Sequence, residues 1–568
     1  MTRAKFMGGA TGELRKMRRT MREVFGLERM RPGQAEVIRS VISGHDTLAV
    51  MPTGAGKSLC YQLPALHLPG TTVIVSPLIS LMKDQVDKLT EAGVGAAQVN
   101  SALTESERRE ELGRISRDES EFVFTTPERM ADPAFLETLR GSDIDIVVID
   151  EAHCISEWGH DFRPSYLALG AAVRTLGSPP VLALTATATP AVVADIRKQL
   201  GLPGMRLFNT GIYRENLRYE VVRVTNEREK REQLARLMRE TEGTGVVYCA
   251  TVKTVEALAE LFRGSDFEVR KYHGRLPPAE RRENQERFMA GGLKAMFATN
   301  AFGMGIDKPD IRFVVHYQMP GSLEAYYQES GRAGRDGEGA RCALLYQLDD
   351  RRTQLFFMGG RHPKAEDLWA VCDALRAAGA DREAVPLAPV QEAAAGVAKT
   401  KVRVALSLLK DARVVRELRG VRFKLVRPEV TREEVERAAE TCAERGDADR
   451  EKLERVMLYG QSTACRWKLL HEYFGEPFGQ ETCGHCDNCL NPPEPSPRPA
   501  PAPPAASPEA ANGRPAKTKP AVELNEGDAV RLRKFGRGLV VALDGDKVSV
   551  KFPDGETRTF KREFVKRG

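Results

Sequence analysis

The chain has 568 residues, 42% of them hydrophobic and 29% charged, with a formal net charge of +6. This length exceeds what one hydrophobic core serves, so about four domains are expected, and the composition is that of a soluble globular protein. The sequence has no run of about 18 apolar residues and no signal-peptide pattern, which argues against a membrane-spanning helix and favours a cytoplasmic location. The small positive charge permits an anionic partner without requiring one.

The segment from 46 to 66 has the pattern of a phosphate-binding loop. A predicted strand leads into Met-Pro-Thr-Gly-Ala-Gly-Lys-Ser at 51–58, where a helix is predicted to begin. In such a turn the glycines let the backbone approach phosphate oxygens, Lys57 neutralises the β and γ charges, and Ser58 can hold Mg²⁺. The strict motif has glycine at the position that Met51 occupies here. This departure favours helicase-type ATPases. The residues predicted to bind the phosphates are Thr53, Gly54, Ala55, Gly56, Lys57 and Ser58.

An acidic pair follows another predicted strand, at 144–149. Asp150 would stand at the strand tip, where its carboxylate can ligate Mg²⁺, and Glu151 beside it can orient the attacking water. A Gly-Lys-Ser turn alone can be an ordinary loop. Together with the acidic strand end, it predicts a nucleoside triphosphatase that uses ATP and Mg²⁺.

Strands and helices alternate through the first 350 residues, which predicts two α/β lobes with parallel sheets. A basic segment, 1–24, precedes the first lobe at 25–209, and the second lobe is predicted at 210–350. The predicted strands are 46–50, 72–75, 121–125, 144–149 and 181–185 in the first lobe, and 245–249, 295–299, 311–316 and 340–346 in the second.

The next region, 351–463, is predicted to be mainly helical and to contain a winged helix at about 367–427. Three helices are predicted at 367–378, 390–395 and 400–410, followed by strands at 414–418 and 421–426 around an Arg-Gly turn. A plain charged helical spacer is the alternative. In the winged-helix interpretation Val421, Phe423 and Leu425 face inward, and the basic face consists of Lys399, Lys401, Arg403, Arg416, Arg422 and Lys424.

Four cysteines predict a metal site in a module at 464–490. Cys483, Cys486 and Cys489 have Cys-x2-Cys-x2-Cys spacing, and Cys465 lies 18 residues upstream. Four thiolates suit a structural zinc ion, with an iron–sulfur cluster as the alternative. A Pro/Ala-rich linker at 491–522 follows, and Gly and Asp-Gly turns in 523–568 predict a small β barrel.

Several motifs belong together in one kind of enzyme. Arg332 and Arg335 lie three residues apart and suit a γ-phosphate at a domain interface, although a solvated basic face is the alternative. With the phosphate loop and the acidic pair, this set resembles superfamily 2 helicases, most closely the RecQ family. The strings that carry the resemblance are Arg31-Pro-Gly-Gln34, Ser76-Pro-Leu-Ile-Ser-Leu-Met-Lys-Asp-Gln85, Asp150-Glu-Ala-His153, Thr185-Ala-Thr187, Ala298-Thr-Asn-Ala-Phe-Gly-Met-Gly-Ile-Asp307 and Gln328-Glu-Ser-Gly-Arg-Ala-Gly-Arg335.

The resemblance implies roles for individual residues of the ATP and zinc sites. Gln34, with Arg31 nearby, would read the adenine edge, and Leu27 stands where the family often has an aromatic ring. Arg335 would be the arginine finger, assisted by Arg332, and Gln328 would line the nucleotide site. The residues around the cysteines resemble the RecQ zinc-binding module, which favours zinc over an iron–sulfur cluster; they are Arg466, Tyr473, Phe474 and Gly475.

The segment 154–166 resembles the aromatic-rich loop that couples DNA contact to ATP hydrolysis in RecQ helicases. Trp158, Phe162 and Tyr166 recur every four residues, which would also suit a core-facing helical stripe. Polar neighbours, including Arg163, and the helix-interrupting Pro164 favour an exposed stacking platform. Phosphate contacts are predicted from hydroxyl groups at strand ends, namely Ser76, Ser80, Thr125, Thr126, Thr251 and Thr299.

The last segment, from Gly527, resembles the Tudor-like barrel at the end of UvrD-type helicases. That resemblance implies a docking role for a partner such as RNA polymerase or a repair factor, with nucleic acid as the alternative. The complete interpretation is a monomeric, nucleoid-associated 3′-to-5′ DNA helicase that binds single-stranded and duplex DNA in repair and recombination. An RNA helicase, or an ATPase that translocates or remodels complexes without unwinding, is the alternative.

Overall fold

The computed structural model describes residues 10–492 and 525–567, except 157, 160, 304–305, 419–420, 428, 533–535, 545–546, 553–555 and 562–565. Most of the predicted linker at 491–522 therefore lies outside the described residues. The chain divides into two units, Met1–Glu494 and Pro495–Gly568. Among the described helices, none is both long and apolar enough to cross a membrane.

The first lobe is a seven-stranded parallel sheet with the order β3-β4-β2-β5-β6-β1-β7. Its central strand is buried along its whole length because alternate residues, such as Val147 and Val148, face hydrophobic clusters on opposite sides of the sheet. The elements are α1 (Ala10–Phe25), α2 (Gln34–Ile42), β1 (Thr47–Val50), α3 (Leu59–Ala65), β2 (Thr71–Val75), α4 (Ile79–Glu91), β3 (Ala96–Val99), α5 (Glu105–Ser116), β4 (Phe122–Thr125), α6 (Pro133–Arg140), β5 (Ile144–Ile149), α7 (Leu169–Thr175), β6 (Val181–Thr185), α8 (Pro190–Leu200) and β7 (Arg206–Asn209).

The second lobe is a six-stranded parallel sheet with the order β10-β11-β9-β12-β13-β8. One face of this sheet packs in a cluster that also contains Tyr459, Trp467 and Cys486, so the zinc region completes the hydrophobic core of the lobe. The elements are β8 (Leu217–Arg223), α9 (Glu227–Glu240), β9 (Thr244–Tyr248), α10 (Val252–Leu261), β10 (Val269–Tyr272), α11 (Pro278–Met289), β11 (Ala295–Ala298), β12 (Ile311–His316), α12 (Leu323–Ser330) and β13 (Ala340–Tyr346).

A fully buried ion pair stabilises the second lobe. Nζ of Lys230 donates to both carboxylate oxygens of Asp350, at 2.8 and 2.9 Å, and lies 5.1 Å from the ring centroid of Tyr317. The backbone N–H of Met319 donates to the same carboxylate at 3.0 Å. These contacts join α9 to the loop that follows β12 and to the first residue of the helix that follows β13.

We expect Lys230→Met to lower the free energy of unfolding by about 3–5 kcal/mol, because Asp350 would remain buried without its counter-charge. Urea denaturation followed by tryptophan fluorescence measures this change. The matched control is Arg228→Ala, which removes an exposed i,i+4 pair with Glu232 and should change stability by less than about 0.5 kcal/mol. A loss below about 1 kcal/mol for Lys230→Met would contradict the assignment of a stabilising buried pair.

A helical region with a small antiparallel sheet, of order β14-β16-β15, follows the second lobe. It has its own buried core, and its three helices and two strands lie where the winged helix was predicted. One short additional strand joins the sheet. The elements are α13 (Asp350–Arg361), α14 (Ala365–Ala377), β14 (Val385–Pro386), α15 (Leu387–Ala393), α16 (Lys399–Asp411), β15 (Val415–Leu418), β16 (Arg422–Leu425), α17 (Arg432–Gln461), α18 (Arg466–Phe474) and α19 (Asp487–Leu490).

The inward alternation predicted for the last strand is partly wrong. Phe423 and Leu425 are buried, but Val421 is 52% exposed and its φ of 55° is in the left-handed region. Val421 precedes β16 and belongs to the turn, so it does not follow the two-residue repeat of the strand. The predicted basic face is also partly neutralised, since Lys401 forms an ion pair with Asp367.

The second unit contains a five-stranded antiparallel sheet with the order β20-β19-β18-β17-β21. Val530, Val540, Val548, Val550 and Phe552 form its hydrophobic core. The predicted Asp-Gly turns at 544–545 and 554–555 fall partly or wholly outside the described residues. The strands are β17 (Ala529–Leu532), β18 (Gly536–Asp544), β19 (Lys547–Lys551), β20 (Thr557–Lys561) and β21 (Lys566–Arg567).

Candidate functional site

A cleft of about 1150 Å³ lies between the two lobes. The carboxyl ends of β1 and β5 meet at one side of it, and α12 and the loop that follows it form the other side. Phe25 and Leu27 also line this cavity. Most predicted nucleotide-site residues are lining residues, Ala55 being the exception: Arg31, Gln34, Thr53, Gly54, Gly56, Lys57, Ser58, Asp150, Glu151, Gln328, Arg332 and Arg335.

The phosphate loop connects β1 to α3 and depends on two glycines with positive φ. Gly54 and Gly56 have φ of 85° and 76°, and a Cβ at Gly56 would lie 2.6 Å from Nε2 of Gln34. That amide donates to the carbonyl oxygens of Ala55 and Gly56, at 3.1 and 2.9 Å. The backbone N–H of Arg31 donates to Oε1 of Gln34 at 2.7 Å. Gln34 therefore holds the loop directly, and the positive φ at position 56 favours glycine.

Met51, the departure from the strict motif, is accommodated by the core. Its side chain is fully buried among the apolar residues on one face of the first sheet. Its carbonyl oxygen accepts a hydrogen bond from Nζ of Lys57 at 3.3 Å. Burial lowers the pKa of Lys57, against the opposing charges of Glu151 and Asp150. The Lys57 ammonium is thus placed between the loop and the acidic pair.

Asp150 follows β5 and accepts two hydrogen bonds. Oγ of Ser76 donates to one carboxylate oxygen at 3.3 Å, and the backbone N–H of Glu151 donates to the other at 3.0 Å. Burial and the nearby charge of Glu151 raise the pKa of Asp150 to about 7, although Lys57 opposes this shift. Two carboxylates and the Ser58 hydroxyl are oxygen donors of the kind that Mg²⁺ prefers. The residues present therefore fit a Mg²⁺ ion.

Glu151 has an uncommon backbone conformation, with φ 49° and ψ 47°. Residues other than glycine seldom occupy this left-handed region, and such strain is frequent at functional sites. One carboxylate oxygen of Glu151 lies 3.4 Å from Nδ1 of His153, which is 3.0 Å from Oγ1 of Thr185. Thr185 in turn donates to the carbonyl oxygen of Thr187 at 2.9 Å. A chain of polar contacts thus connects the acidic pair to the 185–187 turn.

The two arginines of the second lobe differ in what they contact. Arg332 is nearly buried and donates to the carbonyl oxygen of Gly303. Arg335 forms an ion pair with Asp307, and its Cγ would lie 3.3 Å from a Cβ placed on Gly54. Burial and the charge of Arg332 lower the pKa of Arg335. Arg335 therefore lies directly against the phosphate loop of the first lobe.

The aromatic-rich loop is held by a helix that the motifs did not single out. Trp158 is 46% exposed, and Nζ of Lys452 donates to its carbonyl oxygen at 2.8 Å. The guanidinium of Arg445 lies 5.2 Å from the ring centroid of Phe162, a cation–π contact. Both basic residues belong to α17, and no local sequence pattern relates them to the loop. Residues 157 and 160 of the loop lie outside the described residues.

The predicted three-ring platform is wrong in one member. Tyr166 is fully buried, and its hydroxyl donates to the carbonyl oxygen of Asp150 at 3.1 Å. Pro164–Ala168 form a 3₁₀ helix, so the four-residue repeat does not continue on one face. Tyr166 therefore supports the acidic pair from the core. Arg163 remains beside the cleft and forms an ion pair with Asp161 at 3.0 Å.

The other predicted DNA contacts follow strands, except Ser80, which lies in the first turn of α4, so the predicted strand-end position is wrong for that residue. Those that follow strands have intramolecular partners or are buried. Ser76 donates to the metal-site aspartate, Thr251 caps the start of α10, and Thr299 accepts a hydrogen bond in the turn after β11. Thr126 is buried. The side chain of Ser80 lies outside the described part of the structure. Their contacts with DNA stay predictions.

The four predicted metal-ligating cysteines form one cluster. The sulfur atoms of Cys465, Cys483, Cys486 and Cys489 all lie within 4.8 Å of one another. Tetrahedral Zn–S bonds of about 2.3 Å place sulfur atoms about 3.8 Å apart, and Cys483 and Cys489 have this separation. Backbone N–H groups of Cys483 and Cys486 donate to neighbouring sulfur atoms at 3.3 Å, as suits thiolates. The cluster fits a structural Zn²⁺ ion.

An ion pair connects the cysteine cluster to the second lobe. Arg466, the first residue of α18, is 1% exposed. It donates to both carboxylate oxygens of Asp487, at 2.9 and 3.0 Å. The backbone N–H of Val221 in β8 donates to the same carboxylate at 2.9 Å. Nδ1 of His485, beside the cluster, lies 2.8 Å from the carbonyl oxygen of Cys483.

Three protein-family models match the chain: "DEAD/DEAH box helicase" at 31–196, "Helicase conserved C-terminal domain" at 229–337 and "RecQ zinc-binding" at 429–490. The chain is 37% identical to the probable ATP-dependent DNA helicase RecS of Bacillus subtilis, covering 83% of this chain and 92% of RecS. It is 47% identical to the ATP-dependent DNA helicase RecQ of the same organism, covering 59% of this chain and 56% of RecQ. The chain thus spans little more than half of that relative.

Among solved structures, the DUF1998 helicase MrfA bound to DNA is similar with a TM-score of 0.51. The similarity covers 75% of this chain and 64% of MrfA, at 19% sequence identity. At this identity the likeness concerns the fold alone.

Proposed function

The chain belongs to the RecQ family of ATP-dependent DNA helicases, and on that premise we propose that it unwinds duplex DNA while moving 3′ to 5′ along one strand. The observation that carries this proposal is the division of the nucleotide site between the lobes. The phosphate loop and acidic pair belong to one lobe, and Arg335, which lies against Gly54, belongs to the other. A γ-phosphate bound there would draw the lobes together, and its hydrolysis would release them.

The position of each residue in the cleft supports a proposed role in hydrolysis. Lys57 would neutralise phosphate charge, Ser58 and Asp150 would hold Mg²⁺, and Glu151 would accept a proton from the attacking water. Arg335, assisted by Arg332, stabilises the charge that develops on the transferred phosphoryl group.

Contact with a single strand is proposed for the aromatic-rich loop and the strand ends beside the cleft. Trp158 is exposed enough to stack on a base, and Phe162 would stack after exchanging its contact with Arg445. Arg163 would contact the DNA backbone. Because Tyr166 connects this loop to Asp150, a shift of the loop on DNA binding would reach the hydrolytic residues.

We further propose a cytoplasmic, monomeric enzyme that acts on the nucleoid in repair and recombination. The C-terminal β sheet is proposed to bind a protein partner, such as RNA polymerase or a repair factor. Its strand-rich, five-stranded form is compatible with a small docking module.

Strand displacement on matched DNA substrates with a 3′ or a 5′ overhang tests the proposed function, with ATP, Mg²⁺ and Lys57→Ala as the control. We expect unwinding of the 3′-overhang substrate alone, and none by the variant, because the loss of the Lys57 charge leaves the phosphates unneutralised. DNA-stimulated hydrolysis without strand separation would contradict the proposal and favour a translocase or remodelling ATPase. Stronger competition by RNA than by DNA would favour an RNA helicase.

A further inference from the structure

The segment 210–216, which connects β7 of the first lobe to β8 of the second, places one arginine where the two halves of the nucleotide site meet. Nη1 of Arg214 donates to the carbonyl oxygen of Gly331 at 2.7 Å and approaches that of Thr53 at 3.5 Å. Its Nη2 donates to the carbonyl oxygens of Ala333 and Gly334, at 2.9 and 2.5 Å. A single guanidinium thus contacts the phosphate loop of one lobe and the arginine-bearing loop of the other.

The carbonyl groups that Arg214 contacts belong to the segment that carries both catalytic arginines. This segment begins at Gly331, directly after the last residue of α12. Gly331 caps the end of α12, where carbonyl groups have no partner within the helix, and a cation with several N–H donors can serve this carbonyl together with those of the turn that follows. The contacted carbonyl groups lie on both sides of Arg332 and directly before Arg335. Hydrogen bonds to them therefore fix the backbone from which both side chains project.

Neighbouring contacts hold the segment between the lobes against the second lobe, close to the point where the two loops meet. Nδ2 of Asn216 donates to the carbonyl oxygens of Gly334 and Glu338, each at 2.8 Å. The hydroxyl of Tyr327 in α12 donates to the carbonyl oxygen of Ile212 at 2.7 Å. A Cβ on Gly331 would lie 3.3 Å from Cβ of Thr53, so the loops approach closely at this point.

We propose that Arg214 is a positioning residue that sets the distance between the phosphate loop and Arg335. It acts through the backbone of residues 331–334 and does not itself touch the nucleotide. Arginine is required because its planar fork offers several N–H donors in fixed directions, whereas the lysine ammonium is a point charge on a flexible stem. This inference rests on the proposed role of Arg335 in ATP hydrolysis.

A misplaced Arg335 affects the transition state more than the ground state. ATP is held mainly by the first lobe, and the arginine finger acts on charge that develops during transfer. For Arg214→Ala we expect kcat for DNA-stimulated ATP hydrolysis to fall about 30- to 100-fold and the KM for ATP to stay within about twofold. Arg214→Lys should recover less than about a fifth of the lost activity, because one ammonium cannot serve the same carbonyls.

The matched control is Arg218→Ala, which removes an exposed arginine four residues further along, in β8. It should leave both kinetic constants unchanged. The melting temperature and zinc content of each variant are measured beside the kinetics. If Arg214→Ala fails to fold, the lysine variant, which keeps the charge and most of the volume, provides the kinetic comparison.

A double-mutant cycle with Arg335→Ala decides between positioning and a separate structural role. If Arg214 acts through Arg335, the double variant should hydrolyse ATP within about twofold of Arg335→Ala alone. The proposal would be overturned if the kcat losses of the two single variants multiplied in the double variant. A large rise in the KM of Arg214→Ala for ATP, or full activity of Arg214→Lys, would overturn it as well. The readout is hydrolysis, so a wild-type protein that hydrolyses ATP without separating strands would refute the proposed unwinding and leave this test intact.

Discussion

Replacing Glu151 with glutamine is expected to lower kcat for DNA-stimulated ATP hydrolysis about 100- to 1,000-fold while ATP still binds. The amide keeps the size of the side chain but cannot accept a proton from the attacking water. Asp150 and Lys57 would remain in place, since neither depends on the Glu151 carboxylate for a hydrogen bond. Phosphate release measures the rate, and equilibrium binding of a fluorescent ATP analogue measures the affinity.

The control for this prediction is Glu128→Gln, which makes the same change on an exposed side chain of the first lobe. It should hydrolyse ATP at the wild-type rate. A loss below about tenfold in Glu151→Gln would mean that another group accepts the proton. A large loss of ATP affinity in that variant would instead show that Glu151 serves in binding.

Replacing Cys486 with serine is expected to remove the zinc ion and to lower the free energy of unfolding by at least about 3 kcal/mol. The effect should extend to the second lobe, because Cys486 is fully buried in the same cluster as residues of its sheet. The adjacent Asp487, which joins Arg466 to β8, would lose its fixed position. Metal analysis of the purified chain and thermal unfolding followed by tryptophan fluorescence measure both effects.

Cys372→Ser is the matched control, since Cys372 is equally buried but lies in the separate hydrophobic core of the helical region that follows the second lobe. It should keep one zinc ion per chain, whatever its effect on stability. Full zinc content in Cys486→Ser would show that the ion is held elsewhere. Loss of zinc without any change in unfolding would contradict the structural role of the site.

Most of the central strands could be predicted from the sequence because they consist mainly of apolar residues. The bounds of β5, β6, β12 and β13 match the prediction, since strands buried on both faces carry few charged residues, here Asp145, Arg312 and Arg341. Strands nearer the sheet edges, such as β7, β8 and β10, were missed. These strands carry exposed or half-buried polar residues, so their sequences lack a clear apolar pattern. They form strands because of their tertiary contacts.

The same distinction applies to the site. Some sites consist mainly of residues that are close together in the sequence, so a short motif predicts their chemistry. These sites are the phosphate loop, the acidic pair and the cysteine cluster. The contact of Lys452 with the aromatic-rich loop joins residues 294 positions apart, and Arg214 reaches loops from both lobes. Such contacts depend on how complete domains pack, so no local spacing predicts them. For Tyr166 a local pattern gave a wrong prediction. Its four-residue spacing from Phe162 predicted an exposed ring, but a 3₁₀ helix interrupts the repeat and Tyr166 is buried.

The shared core of the second lobe and the zinc region has a consequence for how the protein is made. Trp467 packs between Tyr219 and Tyr213, with ring centroids 4.9 and 5.0 Å away. The ribosome completes the lobe's last strand at Tyr346 about 140 residues before it reaches Cys486, which at roughly 5–20 residues per second takes about 7–28 s. During that interval the nascent lobe has all its strands and an uncovered aromatic face. A fragment ending near residue 350 would lack Trp467 and keep that face uncovered, so we expect the second lobe to be stable only when the chain extends through the cysteines.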